Sequence, residues 1–401
     1  MPRVWSLLAA AVLPGCVLLT CRSSSAPRAA PTASPRPPAT IHIAPGEPIT
    51  IGVSAPLSGD AKALGTDIAD AVDLAIADAG GSVNGHPVQS KRVDDGCGDP
   101  EKAVAAAHEL AAISTLAGVI GPMCTIGAQA ADHVYEAADV IHMLPAATRA
   151  DLSAQGERYF FRTAWRDDAQ AQVQARYARE TIKASTVVLV DDGEPYGTTL
   201  ADTFATAFAA SGGRVLARER IQRGTIDFTT LVGQVKGAGP DAVVFEGLDP
   251  EGALIVKALR SGGYAGPFMA PDGVLSARDF IVPGGVATEG AIVTGGATPD
   301  PAFATRFKAR FQRDPTTPFV LQAHDAVTAL VRAIMSVAVD GGNGALSIDR
   351  AQLAQALRSE TFAGLTGTIH FDANGDRSGT SAGDLGVVVY RVTNGRFEPA
   401  P

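Results

Sequence analysis

The sequence is poor in cysteine and tryptophan, with 4 and 2 among 401 residues, and aromatics make up only 6%. So few cysteines exclude a small disulfide-stapled scaffold, and no His or Cys spacing resembles a zinc signature. Positive charge is also short: 33 Lys and Arg stand against 42 Asp and Glu, a net charge of −9. Arg3, Arg22, Arg28 and Arg36 precede Pro48 against Glu47 alone, so the remainder is more acidic still. That imbalance argues against a nucleic-acid partner, because such proteins concentrate Lys and Arg on one face. No short tandem repeat is present, which removes a solenoid. "GVSAPLSGDAKALG" has glycines in a strand-to-helix loop but neither GxGxxG nor GK[ST], so no nucleotide cradle and no cofactor are expected. In "DANGDRSGTSAGD", Asp372, Asn374 and Asp376 are spaced like calcium ligands, yet Arg377 and Gly383 stand where that loop needs Gly and Glu. It reads as a polar turn.

What is present is length and apolar content, 46% hydrophobic over 401 residues, enough for two domain-sized cores. At the N-terminus, Arg3 and the apolar "VWSLLAAAVL" precede "PGCVLLTC", the pattern of an export signal over residues 1–21. Val4 to Thr20 is barely long enough to span a bilayer and is interrupted by Pro14 and Gly15, which favours export over a spanning helix. "LPGC" and "LLTC" both resemble a bacterial lipobox, so Cys16 or Cys21 is the expected lipidated residue. Residues 22–47 are rich in Ser, Ala and Pro and lack a periodic apolar pattern. They are expected to form a disordered tether reaching roughly 80 Å at about 3.1 Å per residue.

Beyond Pro48, β-branched runs alternate with alanine-rich helical stretches: "ITIGVSAP" then "LGTDIADAVDLAIADAG", "LAGVIGP" then "TIGAQAADHVYEAA". The rhythm restarts at Ser185 with "STVVLVDD" and "YGTTLADTFATAFAASG", marking a second lobe. Alternation of this kind predicts α/β architecture with parallel sheets covered on both faces. Ligands of open parallel sheets sit beyond the carboxyl ends of the strands. The candidate loops are therefore Ser58–Gly59, Met123–Gly127, Pro145–Thr148, Glu194–Gly197, Gly247–Pro250 and Pro271–Gly273.

Cys97 and Cys124 are the two cysteines beyond the signal region. In an exported chain they favour a disulfide. The competing chemistry is a thiol hydrolase, with Cys124 as a helix-N-terminal thiolate and His133 or His142 as base.

"DDGCGDPEKAVAAAHEL", "VIGPMCT", "YEAADVIHMLPAAT", "RTAWRDDAQ", "DDGEPYGTTLA", "FMAPDGV" and "GTIHFDANGD" resemble the leucine, isoleucine and valine binding proteins of ABC transporters, from about Pro48 to the C-terminus. The resemblance implies a type I periplasmic binding protein fold, two doubly wound lobes joined by three crossovers around a ligand cleft. It assigns 48–166 plus about 297–372 to the N-terminal lobe and 167–296 plus about 373–401 to the C-terminal lobe. It also implies a Cys97–Cys124 disulfide.

In such a cleft the helix beginning at Thr125 would take a ligand carboxylate on its free amides. The Ala146 carbonyl, the Thr148 hydroxyl and Asp272, where the family usually has Glu, would take an ammonium, while Tyr196 would pack on the ligand. Leu64 and Leu248 stand where relatives that take branched amino acids tend to carry tyrosines, and Glu246 adds a carboxylate beside the second. The expectation is an extracytoplasmic, monomeric, lipid-anchored protein that is no enzyme and binds an amino acid, aliphatic or branched-chain in first place. An amide or small organic acid remains open. Its partner would be an ABC permease, or alternatively a signalling system using the same cleft.

Overall fold

The computed structural model describes residues 39–379 and 386–400. The signal region 1–21, both lipobox cysteines Cys16 and Cys21, and the tether as far as residue 38 lie outside these. The first stretch of chain forms β1 (Thr40–Ile43), β2 (Ile49–Ala55), α1 (Lys62–Asp78), β3 (Ser82–Val83), β4 (His86–Asp94), α2 (Pro100–Ala111), β5 (Leu116–Ile120), α3 (Thr125–Ala137), β6 (His142–Leu144) and β7 (Phe160–Arg162). The second forms α4 (Asp167–Glu180), β8 (Thr186–Asp191), α5 (Pro195–Ala210), β9 (Arg214–Arg220), α6 (Thr229–Ala238), β10 (Ala242–Glu246), α7 (Asp249–Ser261), β11 (Phe268–Ala270), the short α8 (Val282–Gly284) and β12 (Ile292–Gly296). Then come α9 (Pro301–Phe311), α10 (Val320–Val337), β13 (Val339–Asp340), β14 (Leu346–Asp349), α11 (Arg350–Ser359), β15 (Phe362–Gly364), β16 (Gly367–Ile369), β17 (Val387–Thr393) and β18 (Arg396–Pro399).

Two sheets organise these elements. One has the order β3-β4-β2-β5-β6-β7, the other β18-β17-β12-β11-β10-β8-β9. The β2, β5, β8 and β10 strands are buried along nearly their whole length, as expected for parallel strands covered on both faces. Helix starts follow the local code: Asp99 accepts from the amides of Glu101 and Lys102 with Pro100 at the first helical position, and Asp300 before Pro301 does the same for Phe303.

The chain leaves the first sheet after β7 and returns to its neighbourhood with α9 and α10, which pack on α1. Arg162 and Asp376 clamp this region. Arg162 is fully buried, and its Nε and Nη2 donate to Asp376 Oδ1 at 2.8 and 2.5 Å. Ser153 and Arg166 donate to the other carboxylate oxygen at 2.6 and 3.2 Å. The "DANGD" turn is thus polar, as its sequence suggests, but Asp376 is a buried structural anion. It also keeps the chain beside β7 through Arg377.

The tether expectation is corrected at its end. Thr40–Ile43 lies within the predicted disordered 22–47, yet it pairs antiparallel with Leu346–Asp349 and buries Ile41 and Ile43. Two apolar residues carry too little periodic signal to be read as a strand. Their stability comes from β14, which is remote in sequence.

Candidate functional site

Loops from both sheets converge on a cavity of about 420 Å³. All six loops named from strand ends contribute to its wall, and Thr125, Ala146, Tyr196, Asp272, Leu64 and Leu248 are on it. Thr148 is not. It is buried, its carbonyl accepts from the Asp167 amide at 2.9 Å, and its hydroxyl lies against the Asp167 carboxylate.

From the first sheet, β5 ends at Ile120 and the chain turns through Gly121, Pro122 and Met123 into α3. Cys124 is the N-cap, in extended conformation, and makes no side-chain cap hydrogen bond, so Thr125 and Ile126 begin the helix on the cavity wall. The first amides of a helix have no internal acceptor, and the dipole adds positive potential there. Cys124 is bonded to Cys97. The disulfide ties the loop after β4 to the start of α3, and both cysteines line the cavity. It removes the thiolate that a hydrolase would need; the other members of that constellation are also elsewhere, His133 exposed and His142 packed against Tyr135 with Nε2 2.5 Å from Asp132. Closing a 27-residue span stabilises the fold by about 3.5 kcal/mol through the entropy of the unfolded chain. Denaturation with and without reductant should differ by this order, and a difference below about 1 kcal/mol would refute it.

From the second sheet, β8, β10 and β11 deliver Asp192, Tyr196, Leu248 and Asp272. Close backbone approach makes the glycines of these loops obligatory: a Cβ on Gly197 would lie 2.3 Å from Asp192 Oδ1, and one on Gly273 would lie 2.3 Å from the Gly247 carbonyl. Tyr196 donates its hydroxyl to Asp272 Oδ1 at 3.0 Å. Burial pushes Asp272 up to about 6, opposed by hydrogen bonds from Gln170 and Tyr196. Asp167, the first residue of α4, is fully buried and pushed up to about 7 by burial and by the Asp272 charge. Glu246, at the end of β10, is raised well above its ordinary value, first by burial and then by Asp167 and Asp272, with the Gln174 amide beside it. Neither Asp167 nor Glu246 has a hydrogen bond of good geometry to its carboxylate. Three carboxyls, Asp167, Glu246 and Asp272, therefore crowd around Tyr196, with the Arg162 charge acting on Asp167 in opposition.

Sequence reasoning missed several wall residues. Thr317, Pro318 and Phe319 come from the turn between α9 and α10. Asp67 of α1 is buried and accepts from the amides of Thr316 and Thr317 at 2.7 and 3.0 Å, and Phe319 stacks on Trp165 at 5.0 Å. An aspartate inside an apolar helix face was the available signal. Asp192 and Arg223 also line the cavity and were not singled out.

Two lobes built on mainly parallel sheets, with strand-end loops facing one cleft, define the type I periplasmic binding protein fold. The profile of the family described as "Periplasmic binding protein" matches residues 48–395. The chain belongs to that family. It is 31% identical over 342 residues to the leucine-, isoleucine-, valine-, threonine- and alanine-binding protein of Pseudomonas aeruginosa, covering 84% of this chain and 87% of that one. It is 29% identical to the Leu/Ile/Val-binding protein of Escherichia coli, covering 85% and 91%. The crystal structure of a leucine binding protein from Thermotoga maritima is similar with a TM-score of 0.77 at 26% identity, covering 88% of this chain and 98% of that one.

Proposed function

We propose that this protein captures a free amino acid outside the cytoplasm and hands it to an ABC transporter permease, acting as a monomer anchored by lipid at Cys16 or Cys21. The observation that carries the reading is the pairing of opposite poles on one cavity: the open start of α3 at Thr125 in one lobe, and Asp272 held by Tyr196 in the other. A zwitterion buried between lobes needs donors at one end and a negative charge at the other, because an unpaired buried charge is costly. Leu64 and Leu248 give the ligand's aliphatic stem its apolar wall. Binding through both lobes would favour a closed state by the contacts the second lobe adds. The relatives named for leucine, isoleucine and valine binding support the same class of ligand.

The test is a thermal-shift screen of the twenty amino acids, with related amides and small organic acids alongside. A ligand at 100 times its dissociation constant adds about 2.7 kcal/mol of stability. At least one amino acid should raise the melting temperature; stabilisation by organic acids alone would sink the reading.

A further inference from the structure

We propose that the side chain of the bound amino acid ends in a second cationic group, as in lysine or ornithine, read by Asp192 and Asp249 on the wall of the cavity that Asp272 also lines. This rests on the amino-acid reading of the site and extends it to the substrate class.

The first support is the charge of the wall. Beside Asp272 it carries Asp60, Asp192, Glu194, Asp249 and Asp279, and Arg223 is the one cation among the described residues that line it. Arg223 is already engaged, with Nε 3.5 Å from Glu251. Asp279 is held by Arg278 and by Ser276. Asp192 and Asp249 make no direct ion pair; the Arg223 charge acts on both, and the Arg278 charge on Asp249, from farther away.

The second support is independent of the count. Asp192 is 2% exposed, and its Oδ1 accepts from the Glu194 amide at 3.0 Å, which accounts for the turn before α5. Its Oδ2 is buried without a partner on a residue that lines the cavity. A buried carboxylate oxygen lacking a donor costs free energy that a ligand donor would recover. Burial pushes Asp192 and Asp249 each up to about 7, against the opposing charge of Arg223.

The third support is spacing. Asp192 follows β8 and Asp272 follows β11, with β10 between them in the sheet. Two strand intervals of about 4.8 Å put the two carboxylates on strand ends roughly 10 Å apart. With each cation about 2.8 Å from its carboxylate, roughly 4 to 7 Å remains between the two nitrogens. A diamino acid with a three- or four-carbon side chain fits that interval, its methylenes against Leu248. Leu64 and Leu248 offer apolar surface to such a stem.

Calorimetric titration of the full chain with L-lysine, L-ornithine, L-norleucine and L-leucine tests this. Norleucine matches the lysine chain but lacks its terminal ammonium. Lysine or ornithine should bind at least tenfold more tightly than norleucine, and Asp192→Asn or Asp249→Asn should narrow that ratio to within about threefold. If norleucine or leucine binds as well as the diamino acids in the unmodified protein, the cationic-tip proposal is overturned and the amino-acid site stands. If none of the four binds, this proposal is overturned, while the amino-acid reading is decided by the thermal-shift screen of all twenty. The ratio in the unmodified protein decides the matter even where a variant does not fold.

Discussion

Replacing Asp272 by Asn should weaken amino-acid binding at least tenfold. The substitution keeps size and the contact with Tyr196 but removes the charge that a ligand ammonium would meet in a buried site. Losing one partner of a buried charge pair costs about 2 to 5 kcal/mol, much of it from leaving the other charge uncompensated. Thr125→Ala, by contrast, removes one neutral hydroxyl and leaves the amides of α3 in place, so its cost should be about 1 to 2 kcal/mol. The order of the two effects is the expectation, read by titrating both variants with the ligand that the thermal screen identifies. Equal affinity in the Asp272 variant and the unmodified protein, with loss in the Thr125 variant, would mean that the ligand bears no ammonium at this position. An organic acid would then be the better candidate.

The ligand-free protein should lose stability as the pH rises from about 5 to 8. Asp167 and Asp192 are pushed up to about 7 and Asp272 to about 6, in each case mainly by burial, and Glu246 is raised further. A carboxyl whose folded pKa lies above its unfolded value near 4 is favoured in its protonated form by the fold. Its contribution is fully present below about pH 4 and is lost as the pH climbs through the folded pKa. For Asp167, a rise from 3.8 to about 7 corresponds to roughly 4 kcal/mol, and the other buried acids add in the same direction. Melting temperatures measured from pH 5 to 8 should therefore fall steadily, and Asp167→Asn should flatten the decline. A melting temperature that holds or rises over this window would contradict the account of the buried acids. A cationic ligand should offset the loss, so its stabilising effect should grow with pH over the same range.

Much of the fold is legible in the sequence because its signals are local. Alternating β-branched and alanine-rich segments recur wherever a strand is buried on both faces, and Asp-Pro pairs mark where α2 and α9 start. Once strand ends are located, the topology of a parallel sheet places the following loops at one edge, which is why residues from all six named loops meet at the cavity. The pairing of Cys97 with Cys124 was legible for a simpler reason: beyond residue 21 the sequence offers these two cysteines no other partner.

What the sequence by itself determined is therefore the α/β alternation, the restart into a second lobe, the cysteine pair and the loops at strand ends, all carried by residues close together in the chain. Tertiary structure decided the rest. Thr148 sits in a candidate loop, but packing turns it toward Asp167 and off the cavity wall. Thr40–Ile43 is a strand because β14 supplies its partner, and Asp376 is a buried anion because Arg162 lies beneath it. Phe319 reaches the cleft through a turn stapled by Asp67 from another helix. The proton affinities of Asp167, Glu246 and Asp272 belong in the same class. A carboxyl's charge state depends on water exclusion and on which other charges lie within a few ångströms, and both are set only when distant segments pack together.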